Sequence, residues 1–186
     1  LPEERGLYQE IPIIKTLEFM GIIRGLERSE ANKSSIDWLD RLNLTDRKND
    51  KLSTLSKGNQ QKVQFIATVM HDPKLIILDE PFTGLDPINT DLIKAEIYKL
   101  REQGASIIFS THRMESVEEL CEYIALIHRS RKILEGKLSA IKKAYKRNRF
   151  RVRWVPHREE GALEALEGKV SLVDPKFDPE DHAWEF

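Results

Sequence analysis

Helical and strand-like hydrophobic spacings alternate along the chain. Ile13 to Ile23 and Ser35 to Leu42 carry apolar residues at helical intervals. Leu17, Met20 and Ile23 share one face, and Ile36, Leu39 and Leu42 another. Gly25 and the polar stretch Glu27 to Ser34 separate the two segments, and Asn43 to Ser53 is a polar connector. A helix is predicted from about Gly58, because Val63, Ile66, Ala67 and Met70 follow at helical spacing. Leu75 to Leu78 is an unbroken apolar run, short enough for a strand buried on both faces in a helix-covered parallel sheet. Pro87, with Asp86 as cap, opens a further helix through Ile93, Ile97 and Leu100, which Gly104 is placed to end. Ser106 to Ser110 is the next strand. Strand, helix and strand in that order form a crossover unit, so the strands should run parallel and the connection should be right-handed. Asp79-Glu80 and Thr111-His112 then fall at the same carboxyl edge, where open α/β sheets place their ligands.

The rest of the chain changes character. Tyr123 to His128 and Lys132 to Glu135 read as a hairpin turning near Arg129-Ser130. From Gly136 to Arg158 there are nine Lys or Arg and no acid, while residues 159–186 hold nine acids against two lysines. Arg149 to Val155 alternates as a strand does, Glu159 to Glu167 suits a helix and Lys169 to Val173 a strand. Together they suggest a small α/β extension. The basic run suits lipid headgroups or nucleic acid, but a solvated strand face neutralised by the acidic tail is the simpler reading. Over 186 residues the net charge is −1 and 40% of residues are hydrophobic, which fits one globular domain with a small extension. No apolar run is long enough to span a bilayer. The single cysteine, Cys121, leaves no internal disulfide and shares helical spacing with Val117, Leu120 and Ile124, so a buried thiol is expected.

Four short motifs in order carry a specific resemblance. Ser56-Lys57-Gly58-Asn59-Gln60-Gln61 resembles the signature motif of ABC-type ATPases. Asp79-Glu80 resembles their Walker B pair, Gly84-Leu85-Asp86-Pro87 the D-loop, and His112 the switch histidine. The opening residues and the tail after His112 look most like ATPase subunits of bacterial exporters of the sodium-efflux and drug-efflux kinds. The implied fold is α/β: part of a P-loop NTPase parallel sheet, a helical subdomain, and the C-terminal extension. The implied division is a Q-loop region at 1–10, a helical subdomain at 11–70 ending in the signature helix, an ATPase core at 71–136, and an accessory region at 137–186. No Gly-x-x-x-x-Gly-Lys-Ser/Thr occurs, so the phosphate-cradling loop is not among these residues. In the family that loop lies upstream, and a C-terminal fragment is the expectation.

The resemblance also implies roles. Asp79 would hold Mg2+, usually through water, and Glu80 would be the general base. His112 would contact the γ-phosphate of ATP and sense hydrolysis, an ordinary structural histidine being the alternative. Ser56 and the Gly58 backbone fall at a helix N-terminus, which favours an anion, there the γ-phosphate held by an opposite subunit. A plain cap is the other role open to Ser56. Lys57 stands for a usual glycine and Asn59 for the usual glutamine. Asp86 would couple two sites across a dimer, with helix capping as a competing or additional role. Glu3 stands where the Q-loop glutamine usually lies, and Gln9 is an alternative register.

The leading expectation is the ATP-hydrolysing subunit of an exporter, peripheral on the inner face of the cell membrane. It would pair with a second copy and drive a membrane-spanning subunit, without nucleic acid. The alternatives are an ABC ATPase acting on ribosome or DNA, and a binding fragment without turnover.

Overall fold

A computed structural model describes residues 6–145 and short strands at 153–154, 176–178 and 183–185. The chain divides into two compact units, Leu1–Glu122 and Tyr123–Phe186.

The first unit opens with two packed helices, α1 (Ile13–Ile22) and α2 (Arg28–Arg41). The second begins seven residues before the expected Ser35, inside the stretch read as a polar separator. Its start is capped: the Glu27 N–H donates to Glu30 Oε2 at 3.0 Å. A Cβ on Gly21 would lie 3.0 Å from the Ala31 Cβ, so small residues on both helices permit the close approach. Ala31, Ser35, Trp38 and Leu39 form the buried face, whereas Ile36 and Ile23 are exposed rather than on the expected faces. The Asn43–Ser53 connector is not wholly polar either. It folds into 3₁₀ turns at Thr45–Arg47 and Leu52–Thr54, and Leu44 and Leu52 enter the core.

Helix α3 (Lys57–Val69) starts where expected, with Ser56 as its cap. Val63, Ile66, Ala67 and Met70 are all buried. Strand β1 (Leu75–Asp79), helix α4 (Pro87–Glu102) and strand β2 (Ser106–Ser110) complete the crossover unit. The strands are parallel, with Leu75 opposite Ser106 and Asp79 opposite Ser110. Ile93, Ile97 and Leu100 of α4 join Ile76 and Leu78 of β1 in the core. The strand is not buried on both faces, as its apolar run suggested. Leu75 and Ile77 are 53% and 57% exposed, and Ile108 of β2 is 59% exposed. Core helices cover only the side to which Ile76 and Leu78 point, and strand alternation leaves the rest outside.

Helix α5 (Met114–Leu120) ends the first unit. Cys121 follows it in extended backbone and is half-buried, so it lies off the helical face assigned to it. Burial pushes its thiol pKa up.

In the second unit, β3 (Tyr123–His128) and β4 (Arg131–Lys137) form the antiparallel hairpin. Arg129 and Ser130 turn it at positive φ, and β4 is longer than expected. Helix α6 (Leu138–Tyr145) occupies the start of the basic run, where no element was foreseen. Beyond it, β5 (Arg153–Trp154) falls within the expected strand. It pairs with β7 (Ala183–Glu185), which also pairs with β6 (Lys176–Asp178). The helix and strand expected at Glu159–Glu167 and Lys169–Val173 lie outside the described residues.

Candidate functional site

The parallel register brings the two chemical dipeptides together. Asp79 ends β1 directly opposite Ser110, whose hydroxyl donates to Asp79 Oδ1. Glu80 leaves the sheet at φ +42°, the left-handed region, while its N–H still donates to the Ser110 carbonyl at 3.0 Å. That turn aims its carboxylate across the sheet edge. Oε1 accepts from the His112 N–H at 2.9 Å and lies 2.8 Å from His112 Nδ1, and Oε2 accepts from the Thr111 hydroxyl at 3.2 Å.

Protonation follows from these partners. An ionised carboxylate only accepts, so Nδ1 is the donor of this contact. The Glu80 side chain is 18% exposed and that of His112 78% exposed. An ionised carboxylate offers about four acceptor sites. His112 and Thr111 take three, and the remaining one lies on Oε2.

The signature residues gather at the α3 N-terminus. Ser56 Oγ accepts from the Asn59 N–H at 3.3 Å, so its capping role is present in the fold. Ser56 and Lys57 are exposed, and Gly58 and Asn59 half-buried. Gly58 has a reason of its own: a Cβ there would sit 3.1 Å from the Gly84 carbonyl oxygen. Asp86 caps α4, its Oδ1 accepting from the Asn89 N–H at 2.8 Å, so capping holds there too. These bonds, Asn89's side chain foremost after its backbone, hold the Asp86 carboxyl below the usual aspartate value.

Asn89 and Lys62 were missed in the sequence, and Gln60 and Gln61 of the signature motif carried no role of their own there. Gln60 Nε2 donates to the Leu52 and Leu55 carbonyls at 3.0 Å each, tying the preceding turn to the helix. Gln61 Nε2 donates to the Pro81 carbonyl at 3.3 Å, one residue beyond Glu80. Their signal was present, since amides inside an apolar helix need internal partners. Glu3 lies outside the described residues. Gln9 bonds its own neighbour, Nε2 to the Leu7 carbonyl at 3.3 Å.

Among the described residues no group of three or more His, Cys, Asp or Glu could cage a metal. Asp79 suits magnesium, a hard cation that keeps several waters and takes one or two carboxylates plus phosphate oxygens. Its second oxygen, Oδ2, has no hydrogen bond among the described residues.

The parallel pair, the carboxylate doublet and the capped helix define one class: the chain belongs to the ABC transporter ATP-binding family. A sequence profile of that family, described as ABC transporter, matches residues 2–83. The uncharacterized ABC transporter ATP-binding protein YhaQ of Bacillus subtilis is 49% identical over 145 residues, covering 78% of this chain and 49% of that protein. The linearmycin resistance ATP-binding protein LnrL of the same organism is 36% identical over 136 residues, covering 73% of this chain and 44% of its own length. A solved structure described as the ATP binding subunit of an ABC transporter superposes with a TM-score of 0.71 at 29% identity, covering 77% of this chain and 60% of that one. The chain spans about half the length of the curated relatives it matches. No helix among the described residues is long and apolar enough to cross a membrane.

Proposed function

We propose that this chain carries the hydrolytic half of an ATP-driven exporter's ATPase subunit, and that two copies work as a pair beneath a membrane-spanning partner. The observation that carries the reading is Glu80 held at the sheet edge by Thr111 and His112, beside Asp79. Bound ATP with magnesium supplies the phosphoryl group and the cation. Glu80 orients a water through its remaining lone pair on Oε2 and takes its proton. Asp79 would hold the magnesium through its second oxygen, usually by way of water. Ser56, Lys57, Gly58 and Asn59 present a helix N-terminus, whose dipole and N–H groups favour a phosphate of the opposite copy. By the family resemblance, Asp86 would couple the two copies, and Glu3 stands in the sequence where the Q-loop glutamine is usual.

The export reading leans on LnrL, whose name gives it a role in resistance. A docking face for the membrane partner is offered by exposed Tyr8, Phe19, Ile22 and Ile23, with the Tyr8 and Phe19 rings edge-to-face at 6.0 Å. Phosphoryl transfer also needs a loop of backbone N–H groups with a lysine, which these 186 residues do not contain. The chain alone should therefore show no magnesium-dependent ATP turnover. Joined to a segment that carries such a loop, it should hydrolyse ATP, and Glu80→Gln should stop it. Turnover by the chain alone that Glu80→Gln abolishes would overturn the assignment of the phosphate site. Turnover in the joined protein unaffected by Glu80→Gln would overturn the base.

A further inference from the structure

Lys62 has no part in the mechanism above, yet it is buried in the middle of α3 at 4% exposure. Lysines are almost never buried so far unless paired. Its ammonium donates to Asn89 Oδ1 at 2.9 Å. Because an ammonium can only donate, this bond dictates which end of the Asn89 amide faces Lys62. The other end, Nδ2, is thereby turned toward Asp86 and donates to its Oδ2 at 2.7 Å. The Asn89 N–H donates to Oδ1 of the same carboxylate at 2.8 Å. Asn89 thus occupies both oxygens of Asp86, and Lys62 sets the orientation in which it does so. Two further contacts run alongside: Gly58 lies against the Gly84 carbonyl, and Gln61 bonds the Pro81 carbonyl at 3.3 Å. Helix α3 therefore holds the 81–89 segment at three points, and Ser56 stands at that helix's own N-terminus.

We propose that Lys62 and Asn89 are positioning residues that fix the Asp86 carboxylate and so join the 84–86 loop to the helix end bearing Ser56, making the two move as one body. The consequence for ATP rests on the function proposed above, but the linkage itself does not. A methionine would fill the space of the lysine stem, so a residue serving only to pack the core would be replaced by it without effect on the loop. The charge would be superfluous there, and burial already lowers the lysine pKa while Asp86 raises it.

The test uses the full chain without nucleotide, labelled with 15N. Lys62→Met and Asn89→Ala should each move the amide resonances of Gly84 to Asn89 and of Ser56 to Asn59. Lys62→Arg, which keeps the donor, should restore the original positions. In melting experiments the Lys62→Met and Asn89→Ala effects should be strongly non-additive, because both break one chain of bonds. Asn89→Asp keeps an acceptor for Lys62 but sets a carboxylate against Asp86. Amide hydrogen exchange at Gly84 to Asp86 should then rise by roughly 10-fold, as expected for local opening. Should Lys62→Met not fold, Asn89→Asp decides alone. Unmoved Asp86 and Asn89 amides in Lys62→Met, additive melting effects, or unchanged exchange in Asn89→Asp would each overturn the proposal. Turnover is not read, so a joined protein that fails to hydrolyse ATP would refute the function and leave the linkage standing.

Discussion

His112 closes a two-point clasp on one oxygen of Glu80, its backbone N–H at 2.9 Å and its ring Nδ1 at 2.8 Å. Residues thirty-two apart are thus held together at the carboxyl edge of the sheet.

That clasp predicts separate effects on nucleotide binding and on turnover. In an ATP-hydrolysing protein that contains this segment, Glu80→Gln should retain ATP binding while lowering turnover by roughly 10²- to 10⁴-fold, the usual worth of a positioned base. Nucleotide binding measured by fluorescence, beside steady-state turnover, separates the two. Near-normal turnover would move the base elsewhere, with Glu3 the next candidate.

Gly58→Ala tests the approach of α3 to the loop after Glu80. The new methyl would meet backbone, the Gly84 oxygen at 3.1 Å, rather than a side chain able to swing aside. Overpacking of this kind costs about 1–3 kcal/mol. Thermal unfolding should show the loss, whereas Gly6→Ala, with nothing within 4 Å among the described residues, should leave stability nearly unchanged. Equal melting temperatures for the two variants would refute the close contact.

Acid should weaken the fold in two windows. Burial first, and then Arg24, lower the pKa of His71, whose buried Nδ1 has no partner among the described residues. The folded state therefore resists the proton that the unfolded chain accepts. Stability present above the ordinary histidine value of about 6.5 is lost as pH falls through the lower folded value. Asp86 acts further down, because its bonds to Asn89 lower its pKa. Its contribution stands above the ordinary value of 3.8 and fades as pH falls through the folded one. Denaturant midpoints against pH should lose the upper step in His71→Gln and keep the lower one.

The exposed apolar face of the sheet, with Leu75, Ile77 and Ile108, should make the chain self-associate. Ile108→Lys places a charge where the native side chain is 59% exposed, so it should reduce association seen by light scattering. It should also change stability by no more than about 0.5 kcal/mol. Unchanged association would show that this face is not what brings copies together.

The parts of the molecule legible in the sequence are those set by local rules. Ser56 and Asp86 announce helix starts because each bonds an N–H three residues on. The parallel pair follows from strand, helix and strand in sequence, and with it the meeting of Glu80 and His112 at one edge. Illegible features depend on distant partners or on how many sides of an element are covered. An apolar run such as Leu75 to Leu78 does not say whether one face or two are buried. The first half of α2 shows no large apolar residue, since Ala31 and Ser35 are its core positions, so the helix looked like a linker. Lys62 reads as one more surface cation until Asn89, twenty-seven residues later, is placed beside it.

The pairing of Asp79 with Ser110 also gives the strands a parity. Side chains alternate, so with Leu75 held in place one residue added directly after it would turn Ile76 and Leu78 outward and carry the carboxylate away from its hydroxyl. Two added residues would restore the faces. The turn at Gly104, at φ +97° with open space around it among the described residues, obeys no such rule. Length can vary there one residue at a time, while the strands can change only in twos.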